Sequence, residues 1–300
     1  MTYKKSILLT GCALFALAIQ AQVTIDIDTQ QRGPKVSPML YGIFYEDINH
    51  AADGGIYAEL IRNRSFEDGP RYGAPADMQG WTTDATAPSL LSAKLIQPSK
   101  KTPLLNSVQH NALELTVKAS KESPVRLVNE GFWGINAVQG RSYHLTFWAK
   151  ALKYQGNVKA MLYSHDGSQI YAETMVSSLS SSNSKGWKKY EATLTADGND
   201  PKARFALVFD GVGQVQLDMV SLFPPTFKNR ENGMRPDLAN MLWQLHPKFM
   251  RFPGGCFVEG QESPDNAFRW ERTIGPIEER EGHWNVNWGY RTSDGLGYHE

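Results

Sequence analysis

The sequence predicts an incomplete (β/α)8 TIM barrel, first strands only, interrupted by an all-β sandwich. Three observations carry this. A continuous apolar run, Met39 to Tyr45, stops abruptly at Glu46-Asp47-Ile48-Asn49-His50, as a strand buried on both faces does at its carboxyl end. From about Trp81 to Phe223 the pattern is period-2 alternation broken by turn residues, with no helical segment. Helix, strand and loop then follow one another between Pro236 and Cys256, the alternation of a parallel sheet or barrel.

At the N-terminus, Lys4 and Lys5 precede an apolar run from Ile7 to Ile19, with Ala21 at a cleavage edge. Residues 1–21 therefore read as a secretory signal peptide, and the run is too short for a membrane span. Leu9-Thr10-Gly11-Cys12 also fits a lipoprotein box; the apolar stretch ahead of Cys12 is very short, so anchoring through Cys12 is the weaker reading. The chain is expected to be secreted or periplasmic. Its cysteines are Cys12 and Cys256, so removal of the leader leaves Cys256 alone and no disulfide framework.

Residues 22–80 read as the start of the barrel. Val23 to Asp28 is strand-like, Gly33-Pro34 a turn, and Met39–Tyr45 the first buried strand. After Gly54-Gly55, the spacing of Ile56, Leu60 and Asn63 predicts a helix over 56–63. Gly69, Pro70, Gly73, Pro75 and Gly80 mark a boundary. In the sandwich, 81–223, Tyr143, Leu145, Phe147 and Ala149 form one inward set, Ala203, Phe205, Leu207 and Phe209 a second, and Val215, Leu217 and Met219 a third. Pro224-Pro225 closes this segment. In residues 224–300, Pro236 suits a first helical turn, Leu238, Met241, Leu242 and Leu245 supply an apolar stripe, and Phe249–Phe252 reads as a short strand. Residues 22–80 and 224–300 together amount to about half of the roughly 250 residues a whole barrel takes. The chain ends at Tyr298-His299-Glu300 without a stop signal for an element.

There are 31 Lys+Arg and 31 Asp+Glu, a formal net charge of zero. Nucleic acid and anionic membrane both demand a basic face, so neither is expected as a partner; a neutral sugar is compatible. The sequence contains no HExxH, CxxC or EF-hand spacing, no phosphate-binding or dinucleotide glycine pattern, and no GxSxG elbow. No metal and no cofactor are expected. Whether the chain forms a homo-oligomer is left open.

Working residues of a barrel sit at the carboxyl ends of its strands. The first such end presents Glu46, Asp47, Asn49 and His50; the second presents Arg251 and then Pro253-Gly254-Gly255-Cys256. Glu46 suits accepting hydrogen bonds from sugar hydroxyls, worth about 1.5–3 kcal/mol to a charged acceptor; a solvated loop carboxylate or an ion pair with Arg251 fits equally well. Asp47 and Asp53 read as loop-shaping or ion-paired residues. Cys256 reads as structural, because no histidine is placed to activate it. Trp270, Trp284 and Trp288 either wall a sugar subsite or fill the next core, with Trp288, flanked by Asn285 and Asn287, the better wall.

The run Tyr41-Gly42-Ile43-Phe44-Tyr45-Glu46-Asp47-Ile48-Asn49-His50, continuing through Gly54 to Glu67, closely resembles family 51 α-L-arabinofuranosidases. So do Lys248 to Gly260 and Trp270 to Pro276. The segments Tyr143–Lys150, Trp187–Thr195 and Val215–Pro224 resemble a family 4-type carbohydrate-binding module of the jelly-roll kind. The resemblance implies a retaining hydrolase acting on arabinose-containing plant polysaccharide or oligosaccharide. It implies that Glu46 hydrogen-bonds the arabinofuranosyl ring, that Cys256 lines the same pocket and that Arg251 supports it. It puts the acid/base and nucleophile glutamates beyond residue 300; Glu259, Glu262 and Glu300 match neither motif. A second expectation is a non-catalytic binding protein acting through the sandwich, with Phe132, Trp133 and Trp148 as stacking candidates.

Overall fold

A computed structural model describes residues 23–100, 102–261 and 264–300. The leader, with Cys12, and Glu262 lie outside the described residues. Residues 41–300 form one compact unit. The stretch Val23–Asp28, expected as a strand, is unpaired coil with Val23, Ile25 and Ile27 exposed, because an isolated strand leaves its backbone groups to water.

Sheet dominates the chain. Strands β2 (Trp81–Asp84), β3 (Leu91–Ile96), β4 (Ala112–Lys118), β5 (Val125–Asn129), β6 (Ile135–Ala137) and β7 (Ser142–Ala151) come first. Strands β8 (Gln155–Tyr163), β9 (Ile170–Ser180), β10 (Lys188–Thr195), β11 (Asp200–Phe209) and β12 (Val212–Phe223) follow. All of their pairings are antiparallel. One stretch runs β10-β7-β12-β4-β3 and the other β9-β8-β11-β5-β2, with β6 on β11 and one contact between β12 and β8 at Val212–Gln155. Their inner faces share a single core. Leu113, Leu115 and Val117 of β4 and Leu145 and Phe147 of β7 join Val158 and Leu162 of β8 and Phe205, Leu207 and Phe209 of β11, all fully buried. Two sheets closing on one apolar layer make a sandwich.

The alternation read from the sequence holds along β7 and β11, whose inward sets are fully buried. It breaks in β12. The pairing of β12 with β7 shifts between Asp218 and Ser221, and Met219 takes φ 50°. This bulge moves the inward positions from Val215 and Leu217 to Val220 and Leu222 and leaves Met219 outside the core cluster. Asp218 is fully buried there; its carboxylate accepts the Met219 N–H at 2.7 Å, and burial pushes its pKa well up.

The expected helix over 56–63 does not form. A single wide helical turn covers Ala52–Ile56, and the chain then runs extended. The Ala58 and Leu60 N–H groups donate to Gly233 O at 3.1 Å and Leu222 O at 3.1 Å, so backbone donors of this stretch are taken by β12 and the loop that follows it. The same region holds a buried carboxylate. Glu59 accepts the Ile61 and Leu222 N–H groups at 3.0 and 2.9 Å, the Ser221 hydroxyl, and Arg64 Nη1 at 3.4 Å. Arg64 also donates to Tyr57 Oη at 2.8 Å, which bonds Asn232.

Beyond the sandwich come the helix Pro236–Gln244, as expected, and β13 (Met250–Arg251). Strand β13 pairs in parallel with β1 (Ile43–Phe44), Ile43 opposite Met250 and Phe44 opposite Arg251. The expected first strand over 39–45 is therefore shorter, and Phe44, Met250, Met241, Trp243 and Leu245 are exposed. A hairpin follows, β14 (His283–Asn285) against β15 (Tyr290–Thr292). Among the described residues no helix is long and apolar enough to cross a membrane.

Phe147 is fully buried in the sandwich core, and truncating a buried phenylalanine costs its transfer free energy plus a cavity. Phe147→Ala is expected to lower the unfolding free energy by about 3–5 kcal/mol, measured by urea denaturation.

Candidate functional site

Parallel pairing brings two strand ends side by side. The Tyr45 N–H donates to Arg251 O at 2.9 Å and the Asp47 N–H to Pro253 O at 3.1 Å, so the loops beyond β1 and β13 continue next to one another. Glu46 and Gly254-Gly255 face each other there. A Cβ on Gly254 would lie 2.3 Å from Glu46 Cγ, and the residue sits at φ 136°. Only glycine fits this approach. A Cβ on Gly255 would have Arg251 Nη2 at 3.6 Å and Glu46 Oε1 at 3.9 Å. Glu46 Oε1 accepts the Phe257 N–H at 3.1 Å, which aims the carboxylate at the start of the short helix Cys256–Glu259. The Arg251 guanidinium lies over the Phe44 ring, 4.6 Å from its centroid. Cys256 is exposed, and its carbonyl accepts Asn287 Nδ2 at 2.9 Å. Trp288, one residue on, is 38% exposed.

Glu46, Arg251 and the Gly254–Cys256 backbone are thus gathered at one place, and the hairpin carrying Trp288 is tied to it through Asn287. Trp270 is exposed in a separate short helical turn, against Tyr298. Among the described residues no cluster of three His, Cys, Asp or Glu side chains could hold a metal ion.

Underneath, the 46–55 loop is fastened to the hairpin. Asp47 O accepts Asn285 Nδ2 at 2.9 Å and Tyr290 Oη at 3.1 Å, while Asp47 Oδ1 accepts the Ala52 N–H at 2.9 Å. Asp53 accepts the Ser293 N–H at 2.6 Å and its hydroxyl at 2.8 Å. His50 stacks on Tyr290 with ring centroids 3.9 Å apart, and burial pushes its pKa down. Asp47 and Asp53 shape the loop, and neither is ion-paired among the described residues. Sequence reasoning did not find Asn285, Tyr290 or Ser293 as their partners. Nothing in the sequence around them pointed to the 46–55 loop, although a buried amide such as Asn285 needs bonding partners.

The Alpha-L-arabinofuranosidase 1 domain profile matches residues 241–300, and the Carbohydrate binding domain profile matches 58–210. The chain's homologues are family 51 α-L-arabinofuranosidases, and it contains a carbohydrate binding domain. It is 36% identical over 285 residues to Alpha-L-arabinofuranosidase 1 of Arabidopsis thaliana, covering 93% of this chain and 40% of the plant protein. It is 36% identical over 292 residues to the Extracellular exo-alpha-L-arabinofuranosidase of Streptomyces chartreusis, covering 92% of this chain and 32% of that protein. An arabinose-bound MgGH51 α-L-arabinofuranosidase structure superposes with a TM-score of 0.77 at 32% identity, covering 87% of this chain and 41% of that one. The chain thus spans well under half the length of the relatives it matches.

Burial, with the nearby Asp53 charge adding to it, raises the Asp47 pKa from 3.8 to about 6. The folded protein then holds a proton on Asp47 between about pH 4 and pH 6 that the unfolded chain releases, so this group's contribution to stability falls as pH rises through that window. Denaturant unfolding at pH 4 and pH 6 is expected to show a steeper fall for the wild type than for Asp47→Asn, by up to about 3 kcal/mol.

Proposed function

We propose that the chain is the N-terminal part of a secreted, retaining α-L-arabinofuranosidase that removes terminal arabinofuranosyl units from arabinan- or arabinoxylan-type polysaccharides. The observation that carries this reading is the convergence of Glu46, Arg251 and Gly254-Gly255-Cys256 beyond the carboxyl ends of two parallel strands. Carboxyl ends of parallel strands are where barrel enzymes keep their working groups. The names of the relatives support the activity, and the carbohydrate binding domain supports a glycan partner. In this reading β1 and β13 are the first two strands of a (β/α)8 barrel. The apolar side chains exposed on them and on the helix Pro236–Gln244 are the surface that further strands and helices cover. The short coverage of the relatives supports this. Residues 1–21 serve as the export leader, and the relative named extracellular is consistent with secretion.

Each group has a role. Glu46 accepts hydrogen bonds from ring hydroxyls, where a charged acceptor makes a stronger bond than a neutral one. Arg251, its guanidinium over the Phe44 ring, borders the same pocket beside Gly255. Cys256 lines the pocket, and Trp288 offers a ring face to the C–H face of the sugar. A retaining mechanism needs two further carboxyl groups about 5 Å apart, one as nucleophile and one as acid then base. These belong beyond residue 300, so residues 23–300 alone bind weakly and do not turn over.

The full-length protein is expected to hydrolyse 4-nitrophenyl α-L-arabinofuranoside with retention, read by NMR of the first-formed anomer. Glu46→Gln is expected to lower kcat/KM by about 10–100-fold, the loss of a charged hydrogen bond. An inverted product or an unchanged Glu46→Gln enzyme overturns the reading. Absence of turnover with retained polysaccharide binding favours instead a binding protein working through the sandwich.

A further inference from the structure

We propose that the turn between β5 and β6 carries, in Trp133, a stacking platform for the polysaccharide backbone that bears the arabinofuranosyl unit. The platform reaches the loop that carries Glu46 through the His50 ring. This rests on the reading of the site just given and extends it from the terminal sugar to the chain that carries it.

Trp133 is 65% exposed although it sits in a tightly held turn. Asn129, fully buried at the end of β5, accepts the Gly131 N–H at 2.9 Å and the Arg62 N–H at 3.3 Å, and donates to Arg62 O at 3.0 Å. The Gly134 N–H closes the turn on Glu130 O at 3.0 Å. Gly134 takes φ 99°, and a Cβ there would meet Lys202 Cα at 2.6 Å. The Phe132 ring, 6.1 Å from that of Trp133, packs on Gly54, where a Cβ would lie 2.6 Å from its Cγ. The turn is therefore anchored through Phe132 and leaves the Trp133 ring exposed. A fixed, exposed indole loses little side-chain freedom when a ligand lies on it, which favours binding.

The surroundings are polar. A groove of about 450 Å³ on one side of Trp133 is lined by Thr82, Glu130, His165, Lys202 and Arg204. Arg204 bonds Glu130 at 2.6 Å and His165 at 3.3 Å, while its buried Nε–H has no hydrogen-bond partner among the described residues. A second groove of about 430 Å³, also bordered by Trp133, is lined by Asn136, Arg141, Arg235 and Asp237. One flat ring flanked by hydroxyl-bonding side chains suits a sugar, which has an apolar C–H face and a polar edge. An apolar protein partner is poorly matched by so many charged groups.

The platform joins the strand-end loop through aromatic contacts. The His50 ring is 5.7 Å from Trp133 and 5.6 Å from Phe132 and stacks on Tyr290, whose hydroxyl bonds Asp47 O next to Glu46. The topology agrees. The sandwich is inserted in the connection that follows β1, and in a barrel such connections ring the catalytic mouth.

The test uses the full-length protein with Trp133→Ala and Trp133→Phe. On branched arabinan or arabinoxylan, Trp133→Ala is expected to raise the apparent KM by about 5–30-fold, in line with other aromatic stacking contacts. Its kcat and its KM on 4-nitrophenyl α-L-arabinofuranoside stay at wild-type values, and Trp133→Phe keeps most of the polymer affinity. Unchanged KM on both polymers, or an equal loss on polymer and aryl glycoside, overturns the proposal. So does a fall in Tm without a change in polymer KM, since that marks Trp133 as covered by other protein. Wild-type protein inactive on the aryl glycoside fails the reading of the site instead. The platform is then read by retardation in gels containing each polymer: loss of retardation in Trp133→Ala supports it, and equal retardation overturns it.

Discussion

A single buried carboxylate holds together the place where the chain leaves the β1 region and the place where it comes back. Glu59 is almost wholly buried and takes bonds from Ile61 and Arg64 on the outgoing segment and from Ser221 and Leu222 on the returning one. Burial pushes its pKa up, while the Arg64 charge and these donors act in the opposite direction. A charge in this position is tolerable only while every partner is present. Removing one side of a buried pair leaves the other uncompensated, at about 3–5 kcal/mol.

The site follows from that junction. Strands β1 and β13 pair over two residues each, too short to hold themselves, and the whole sandwich separates them in the chain. Closing so long an excursion costs entropy that grows only slowly with length. The junction must therefore supply enough local bonding to fix the two stems, and the backbone bonds from Ala58, Leu60, Val220 and Arg235 do so beside Glu59. Once the stems are fixed, Phe44 lies opposite Arg251, and the Glu46 loop runs beside Gly254. The Asp47, Asp53 and Tyr290 bonds then set the depth of that loop.

The sandwich was readable because its code is local. Period-2 alternation along β7 and β11 needs no knowledge of distant residues, and Gly and Asp-Gly turns punctuate it. The helix expected over 56–63 failed for the opposite reason. Its apolar spacing is real, but its N–H groups bond carbonyls of Leu222 and Gly233, far along the chain, and tertiary bonding overrides a weak local propensity. The bulge at Asp218–Ser221 was likewise silent, because a one-residue shift leaves the composition of a strand unchanged. At the site, the abrupt end of an apolar run marked Glu46, and the double glycine marked the close approach at 254. The partners Asn285, Tyr290 and Ser293 were not legible, since nothing in their own neighbourhood says which distant loop they fasten. Glu59 and Arg64 looked like ordinary charged residues until their burial was seen.

The most direct test of this account is native-state hydrogen exchange on the wild type and on Glu59→Ala. The account predicts that the amides of Tyr45, Ala58, Leu60 and Leu222 open together in the wild type. In Glu59→Ala they are expected to lose protection together, while amides in the middle of β7 and β11 keep theirs. Wild-type protection at Tyr45 and Leu222 in the Glu59→Ala protein would contradict it, because the two stems would then be held by something other than the buried carboxylate.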